Sequence, residues 1–315
     1  MTSTPARVAT TIVAALAACA SLAAAPDEPG EPFLVGFTTS MFAGVNTIDA
    51  RAAMSVWAKE LAASSGLHLH ASTTILGGAD EARQAIDERR VHLLLLSTEQ
   101  YYRMQRPAFG EVLYGLRRNR QKEEYLLLTK KGAYPTLQHL GGKDITTIDG
   151  IDHDMSVAWL ETLLMEQRLP PARVHFGTVT RAAKPARGVL PVYFGQADAC
   201  VVTRSAFELM VELNPQVATA LAPLATSPPL IHAILVLDRR YAPEIRARLL
   251  DALQNLHTTA RGQQVLSFFG VDRITTGRFD DLAPSLDLVR SLDRQQKLQK
   301  PTPQGPVTPV RGGAR

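Results

Sequence analysis

Apolar and polar residues follow the same pattern at two places in this chain. In each copy a polar turn leads into a continuous apolar run with a polar end, first at residues 91–98 and again at residues 199–204. Apolar runs of this length are typical of strands buried on both faces of a mainly parallel sheet. Ligands of such sheets bind beyond the carboxyl ends of the strands. The residues at these ends are therefore candidate ligand-binding residues: Ser97, Thr98, Thr203 and Arg204.

The separation of the two copies predicts two domains. Their polar ends lie about 105 residues apart, from Thr98 to Thr203, which is close to the length of one ordinary domain. A chain of 315 residues is long enough to bury two cores. The predicted fold class is therefore α/β, with two lobes that each contain a mostly parallel sheet flanked by helices and that enclose a cleft.

Periodicity predicts further elements of the first lobe. A strand at residues 33–37 is followed by Thr39 and Ser40, whose hydroxyls are suited to donate hydrogen bonds to ligand oxygens. Residues 49–64 have apolar positions at helical spacing, so we expect an amphipathic helix with Val56 on its inward face. The alternative role of the Thr39 and Ser40 hydroxyls is ordinary loop or helix-capping chemistry.

A second group of candidates precedes a helix predicted at residues 157–167. Ser156 is expected either to cap this helix or to face a ligand, and Asp152 either to contact a ligand or to interact with the helix dipole. Pro170 and Pro171 end the helix, and a strand is predicted at residues 174–177.

Three larger side chains complete the set of candidates. Arg204 is the best suited to hold a carboxylate or a phosphate, because a guanidinium binds two oxygens at once; the alternative is a surface salt bridge. Tyr125 and Tyr193 are expected either to line the cleft or to pack in the core.

The first 25 residues have the pattern of a secretory signal peptide. Arg7 precedes an apolar stretch at residues 8–19, which is too short to span a bilayer and is followed by small residues. Residues 16–19 also fit a lipoprotein box in which Cys19 becomes the lipidated first residue; the alternative is cleavage after Ala23 or Ala24. Either route predicts a periplasmic protein, and Cys200 is then expected to be a free, buried thiol.

The formal charge of +4 does not describe the folded part of the chain. Six of the 34 basic residues lie in the signal peptide or near the C-terminus, which leaves 28 against 30 acidic residues, a balance of −2. A nucleic-acid-binding protein needs a basic face on the folded body, so this class is excluded. Residues 293–315 are rich in proline and polar residues near their end and are predicted to be disordered.

The sequence contains no motif of covalent or metal-dependent catalysis. G-x-S-x-G, Walker, C-x-x-C and H-E-x-x-H patterns are all missing. We therefore expect no catalytic residue, no metal and no cofactor, and we interpret the chain as a binding protein. A periplasmic hydrolase that uses Ser97 or Ser156 stays a minor alternative.

Several sequence pieces, taken in order, resemble the PhnD-like family of phosphate-, phosphite- and phosphonate-binding periplasmic receptors. The resemblance covers about residues 33–280 and rests on the first-strand Val35 and Gly36, Trp57, Ser97 with Thr98, residues 140–143, residues 196–199, residues 226–229 and residues 269–272. It implies the type-2 periplasmic binding protein fold, in which two lobes close on a small ligand.

The resemblance also implies boundaries and partners. Lobe one would contain residues 31–128 and 226–292, and lobe two residues 129–225, with crossings near residues 125–131 and 221–231. The expected function is an exported, monomeric receptor that delivers a small solute to the permease of an ABC importer. The alternative partner is a membrane signalling protein, to which the receptor would report its ligand.

The resemblance implies an anion held at a helix N-terminus in lobe two. Where phosphonate-binding members have Ser-Thr-Ser-Gly, this sequence has residues 152–156, in which only Ser156 keeps a hydroxyl. The two carboxylates of Asp152 and Asp154 would repel a phosphonate unless they point outward or bind another group. The predicted ligand is therefore left as a phosphonate, a phosphate-like anion or an organic acid.

Overall fold

The protein is described by a computed structural model that covers residues 30–42, 47–105 and 109–299. The predicted signal peptide and residues 300–315 lie outside the described residues. The strands are β1 (Glu31–Thr38), β2 (Leu69–Leu76), β3 (Leu93–Ser97), β4 (Phe109–Leu116), β5 (Tyr125–Lys130), β6 (Ile145–Ile148), β7 (Val179–Ala182), β8 (Ala199–Thr203), β9 (Leu221–Thr226), β10 (Ala233–Asp238) and β11 (Arg273–Gly277). The helices are α1 (Thr47–Ser64), α2 (Ala79–Asp87), α3 (Thr98–Arg103), α4 (His153–Glu166), α5 (Ala172–His175), α6 (Pro185–Phe194), α7 (Arg204–Leu213), α8 (Gln216–Ala220), α9 (Pro243–Asn255), α10 (Ala260–Phe268) and α11 (Ala283–Gln299).

The strands form two sheets with the same internal layout. The first sheet has the order β11–β4–β10–β3–β1–β2, and the second has the order β7–β6–β8–β5–β9. In the first, β1 to β4 share one direction and β10 and β11 oppose it. In the second, β6 to β9 share one direction and β5 opposes it. Each lobe is thus an α/β unit built on a mixed sheet, and the predicted fold class is confirmed.

The two apolar runs of the sequence are the strands β3 and β8. Leu93 and Leu95 of β3 pack in the core on one face of the first sheet, and Leu94 packs on the opposite face. In β8, Val201 packs on one face of the second sheet and Cys200 on the other. Because both faces are covered, neither strand needs a polar position until its end.

The ends of β3 and β8 lead into helices through the same chemistry. Ser97 caps α3, and its hydroxyl accepts a hydrogen bond of 3.1 Å from the backbone N–H of Gln100. Thr203 caps α7, and its hydroxyl accepts a hydrogen bond of 3.3 Å from the N–H of Ala206. Capping satisfies N–H groups that a helix start leaves free, so both hydroxyls have a structural role whether or not a ligand is bound.

The chain passes between the sheets twice, and the crossings differ from their predicted places. The connections are residues 117–124 and residues 227–232, where Glu123 and Leu230 form an isolated antiparallel bridge. The segments predicted as crossings are largely β5 and β9, which pair with each other in the second sheet. The predicted lobe boundary at residue 128 therefore falls inside β5. An apolar strand suits either sheet, so the sequence does not show on which side of it the chain crosses.

The C-terminal helix α11 contacts both lobes. The Ser285 hydroxyl accepts a hydrogen bond of 2.8 Å from the N–H of Ile231 in the second crossing. Leu286 packs on a core cluster of the first lobe, whereas Val289 is buried in a core cluster of the second. Residues 293–299 belong to this helix, so the prediction of disorder from residue 293 is wrong for them.

Three local predictions need correction. The strand expected at residues 174–177 is wrong, because α5 occupies the first half of this segment and the strand at this edge of the sheet is β7. β7 was missed because it is short and largely exposed. Val56 lies on the outer face of α1, with 58% of its surface exposed. Helix α4 begins at His153, before the predicted start, so Ser156 lies inside its first turn.

Candidate functional site

A pocket of about 500 Å³ lies between the two lobes. Lobe one contributes the end of α10 and the residues after it, including Phe268 and Phe269, together with Met41. Lobe two contributes the loop after β6, the end of β8 and the start of α7. The crossing between β4 and β5 contributes Arg117 and Arg118. The pocket therefore lies where closure of two lobes would enclose a ligand.

Arg117, Asp152 and His232 form a charged cluster beside this pocket. Arg117 Nη1 donates a hydrogen bond of 2.8 Å to Asp152 Oδ2, and these side chains are 16% and 22% exposed. His232 Nδ1 lies 3.3 Å from Asp152 Oδ1. Asp152 belongs to lobe two, and Arg117 and His232 belong to the two crossings. The cluster therefore joins lobe two to both connections.

The same region contains several buried polar atoms without a hydrogen-bond partner among the described residues. They are Thr98 Oγ1, Arg117 Nε, the Tyr125 hydroxyl, Asp152 Oδ1 and His232 Nδ1. A buried polar atom without a partner costs about 1–3 kcal/mol, and native structures pair most of them with protein or water. Their concentration between the lobes indicates a place where water or a ligand supplies hydrogen bonds.

Burial and mutual attraction shift the pKa values of this cluster in defined directions. Burial lowers the pKa of His232 to about 4, against the attraction of Asp152, so the imidazole is neutral at neutral pH. Burial would raise the pKa of Asp152, but Arg117 and His232 outweigh it and hold the pKa below its usual range. Burial raises the pKa of Tyr125 well above its usual value, which keeps the hydroxyl protonated.

A single hydrogen bond links the helix starts of the two lobes. Ser97 Oγ, at the start of α3, donates a bond of 3.1 Å to Asp154 Oδ2, in the first turn of α4. Gln100 accepts a further bond of 2.6 Å from Thr38 Oγ1 at the end of β1. The two lobes are thus in direct contact at the carboxyl ends of their sheets.

The structure brings four of the ten sequence-predicted residues to the pocket: Tyr125, Asp152, Ser156 and Thr203. Ser156 is buried, and its hydroxyl donates a hydrogen bond of 2.8 Å to the His153 carbonyl. Ser97 and Thr98 lie at the contact between the lobes, where the Thr98 N–H donates a bond of 2.9 Å to the His232 carbonyl. These six residues share one region of the molecule.

The structure does not bring the other four candidates into the lining of this pocket. Thr39 Oγ1 donates to the Gly77 carbonyl over 3.2 Å, and Ser40 Oγ donates to Gln100 Oε1 over 3.2 Å, both within lobe one. Arg204 pairs with Glu124. The Tyr193 hydroxyl donates to Gln216 Oε1 over 3.2 Å. Each of these side chains has a partner that explains its position without a ligand.

The sequence interpretation missed Arg117 and His232. Arg117 belongs to a run with Arg118 and Arg120, and only the fold shows that Arg117 pairs with Asp152 in the cleft, whereas the other two pair with Glu208 and Glu212 of α7. His232 is the last residue of the second crossing, directly before the apolar strand β10, and no local motif marks it. The available signal was the run of basic residues after an apolar strand, but it did not indicate which of the three arginines faces the cleft.

Among the residues that the structure describes, no three His, Cys, Asp or Glu side chains are grouped to hold a metal ion. Across the same residues, no helix has both the length and the apolar character to span a membrane. Cys200 is buried and free, and burial raises its pKa to about 12.

Two similar α/β lobes, two crossings and a pocket between the lobes define a type-2 periplasmic solute-binding protein. Residues 45–282 match the family described as "ABC transporter, phosphonate, periplasmic substrate-binding protein". This is about three quarters of the chain, and the chain belongs to this family. It is a solute receptor that delivers its ligand to an ABC importer. The family is periplasmic and is one of substrate-binding proteins, not of enzymes.

Solved structures share the fold at low sequence identity. The binding component of an ABC phosphonate transporter from Pseudomonas aeruginosa is 13% identical, with a TM-score of 0.58 over 85% of this chain and 88% of that one. PhnD1 from Prochlorococcus marinus, in complex with methylphosphonate, is 14% identical, with a TM-score of 0.58 over 84% and 99%. A TctC solute-binding protein from Polaromonas is 13% identical, with a TM-score of 0.51 over 85% and 99%. No curated protein sequence matches the chain.

Proposed function

We propose that the solute is an organic anion, a phosphonate or a carboxylic acid, whose charged group binds Arg117 and whose apolar part fills the pocket. The observation that carries the proposal is the buried Nε of Arg117, which has no hydrogen-bond partner in the described part of the chain and lies in the cleft. A guanidinium with a free N–H beside a free hydroxyl suits an anionic oxygen.

The Tyr125 hydroxyl supports this position for the anion. It is fully buried, has no hydrogen-bond partner among the described residues, and lines the same pocket as Arg117. Its raised pKa keeps the proton on the oxygen, so the hydroxyl is available as a donor. Thr203 and Ser156 add hydroxyl oxygens on the lobe-two side, although both also serve the local helix starts.

The size and lining of the pocket favour a solute larger than methylphosphonate. A volume of about 500 Å³ lies in the range of sites for small organic molecules. Apolar side chains from both lobes line it: Met41, Ile148, Ile151, Val201, Val202, Leu209, Phe268 and Phe269. Burial of alkyl groups against them contributes about 0.8 kcal/mol for each methylene.

Binding would couple to closure because the two lobes offer different parts of the site. Lobe two and the first crossing provide most of the polar groups, and lobe one provides Phe268, Phe269 and Met41 together with Asp272. A ligand that contacts both lobes stabilises the closed arrangement by its difference in affinity for the two states. The closed receptor would then present one composite surface to the importer.

A thermal shift screen tests the ligand class. Phosphate, methylphosphonate, butylphosphonate and hexanoate would each be added at millimolar concentration. Binding to the folded state raises the melting temperature by mass action, so butylphosphonate and hexanoate are expected to give larger shifts than phosphate and methylphosphonate. A shift with phosphate or methylphosphonate alone would contradict the apolar part of the proposal, and no shift with any anion would contradict all of it.

Matched variants test the role of Arg117. The double variant Arg117→Gln with Asp152→Asn removes both charges together, so that no buried carboxylate is left unpaired, and is expected to weaken anion binding by about 10- to 100-fold, the loss of one charged hydrogen bond. The double variant Arg204→Gln with Glu124→Gln removes an ion pair in the same way outside the pocket lining and is expected to bind within twofold of wild type. Isothermal titration calorimetry measures both; equal loss in both variants would refute the assignment.

We also propose that the mature chain is a monomer in the periplasm. The signal pattern of residues 1–25 supports export, and it allows either a lipid anchor on Cys19 or a free chain that starts after Ala23 or Ala24. The intact mass of the chain, secreted by a bacterial host, distinguishes the two, because an acylated Cys19 adds the mass of its lipid chains. Size-exclusion chromatography with light scattering tests the monomer.

A further inference from the structure

The carboxylate of Asp152 already occupies the guanidinium that the proposed solute would need. Arg117 Nη1 is bound to Asp152 Oδ2 over 2.8 Å, and the remaining carboxylate oxygen, Oδ1, lies 3.3 Å from His232 Nδ1 without forming a hydrogen bond. Asp152 therefore lies between the Arg117 guanidinium, which is permanently charged, and the His232 imidazole, which becomes charged when it binds a proton. An incoming anion would be a second negative charge beside a single positive one.

Binding of an anion would change the net charge of the buried cluster of Arg117, Asp152 and His232. Without solute, Arg117 and Asp152 neutralise each other and His232 is neutral. With an anion on Arg117, the cluster would hold one uncompensated buried negative charge, which is strongly unfavourable where solvent is excluded. A proton on His232 restores neutrality, since it creates a cation 3.3 Å from Asp152 Oδ1.

We propose that Asp152 and His232 form a proton-linked switch for solute binding. The anionic group of the solute replaces Asp152 on Arg117, one proton from solvent binds the imidazole of His232, and Asp152 pairs with the resulting imidazolium through Oδ1 and Nδ1. The switch rests on the proposed binding of an anion at Arg117. Its consequence is that solute binds more tightly as the pH falls, with about one proton taken up for each solute.

The other groups around His232 are consistent with this exchange. Asp152 attracts a proton to the imidazole, Arg117 opposes it, and burial opposes it most, which keeps the ring neutral in the free protein. Glu123 lies close enough to Arg117 to raise the pKa of the guanidinium, and it accepts hydrogen bonds from the backbone N–H groups of Glu124 and Ser205 and from the Ser205 hydroxyl. His232 also lines a small, mostly apolar pocket together with Trp57, Ile151 and Phe269.

Isothermal titration calorimetry with hexanoate as the probe tests the switch at pH 6. Hexanoate stays ionised at this pH, because carboxylic acids titrate near pH 4 to 5, so any proton uptake comes from the protein. Titrations in Bis-Tris, Bis-Tris propane and imidazole, cationic buffers that do not compete as anions, give the number of protons from the dependence of the heat on the buffer. Wild type is expected to take up close to one proton, and its Kd to rise about tenfold for each pH unit.

Two variants separate the switch from simple binding. His232→Gln is expected to bind hexanoate without proton uptake and with a Kd that is nearly independent of pH. Asp152→Asn leaves Arg117 free in advance, so it is expected to bind several-fold more tightly than wild type and also without proton uptake. Binding by wild type with an uptake below 0.2 proton would overturn the switch and leave the proposed ligand class intact. A failure of wild type to bind either hexanoate or butylphosphonate would overturn both.

A second measurement does not depend on the variants being folded. In protein labelled with nitrogen-15 at histidine, long-range proton–nitrogen correlation spectra report the protonation of each ring. The pKa of His232 is expected to rise from about 4 in the free protein to above about 7 with saturating hexanoate, as an uptake of close to one proton at pH 6 requires. A His232 pKa that is unchanged by bound hexanoate would refute the proposal.

Discussion

The hydroxyl of Ser97 donates a hydrogen bond of 3.1 Å to the carboxylate of Asp154, and this bond joins the two lobes. Ser97 also caps α3, so its own substitution would change the helix as well as the contact. Asp154 is the better residue for a test, because no described residue other than Ser97 is hydrogen-bonded to its side chain.

Asp154→Ala is expected to favour the open arrangement of the free receptor. A hydrogen bond to a charged acceptor contributes about 1.5–3 kcal/mol when well formed, and part of that would be lost from the closed state alone. Small-angle scattering of the free protein should show a larger radius of gyration, and hexanoate should bind about 3- to 30-fold more weakly.

Asp80→Ala is the matched control for this substitution. Asp80 is also an acidic residue in the first turn of a helix, α2, and it is exposed. It should leave the radius of gyration and the affinity unchanged. Equal behaviour of the two variants would mean that Asp154 acts through the helix dipole rather than through the contact between lobes.

The neutral state of His232 predicts how the stability of the solute-free protein depends on pH. The folded pKa of about 4 is below the ordinary value of 6.5, so the unfolded chain binds a proton that the folded chain does not. Stability is therefore complete above pH 6.5 and falls as the pH is lowered from 6.5 to 4. The loss is about 3 kcal/mol, at 1.36 kcal/mol for each pKa unit.

His232→Gln should remove this part of the pH dependence. Urea unfolding at a series of pH values measures the free energy of unfolding of both proteins. Asp152, whose pKa is lowered by Arg117 and His232, contributes a further loss only below about pH 4, outside the pH range that the comparison uses. Parallel curves for the two proteins between pH 6.5 and 4 would show that His232 is protonated in the folded state.

A variant in which a larger side chain fills part of the pocket is expected to lose affinity for long solutes more than for short ones. Ala183 is exposed and lines the pocket on the lobe-two side, so Ala183→Phe adds a ring there without entering a core. Butylphosphonate affinity should fall at least tenfold, and methylphosphonate affinity should change less. Ala133→Phe, at an exposed position outside the pocket lining, should change neither. Unchanged affinity for both solutes would indicate that the apolar part does not reach Ala183.

Burial of Val289 in the core of lobe two predicts a stabilising role for α11. Val289→Ala removes two methyl groups from a site that is 3% exposed, and the free energy of unfolding should fall by about 1–3 kcal/mol. Val174→Ala removes the same groups at 64% exposure and should cost less than about 0.5 kcal/mol. Urea unfolding compares them, and a similar small effect for both would contradict the packing of α11 against lobe two.

The sequence was sufficient for the elements whose signal is local. β3 and β8 bury both faces, so their apolar runs and polar ends were visible, and they led to Ser97 and Thr203. The two-lobed class followed from the distance between these runs.

Features that depend on long-range packing were not visible. Arg117 acquires its role from a carboxylate 35 positions away and from an imidazole in the other crossing. Its neighbours Arg118 and Arg120 have the same local composition and pair with Glu208 and Glu212 on the surface. Arg204 had the chemistry expected of an anion site, but Glu124 satisfies it outside the pocket lining.

The attachment of α11 to both lobes has a consequence for the energetics of capture. Separation of the lobes would expose apolar surface at Val289 or break the contact of Ser285 with Ile231, so we expect the empty receptor to favour its closed form. Closure of the lobes would then take up only a small part of the free energy of solute binding. We therefore expect weakly bound solutes to be retained, with a dissociation rate set by how readily α11 detaches from one of the lobes.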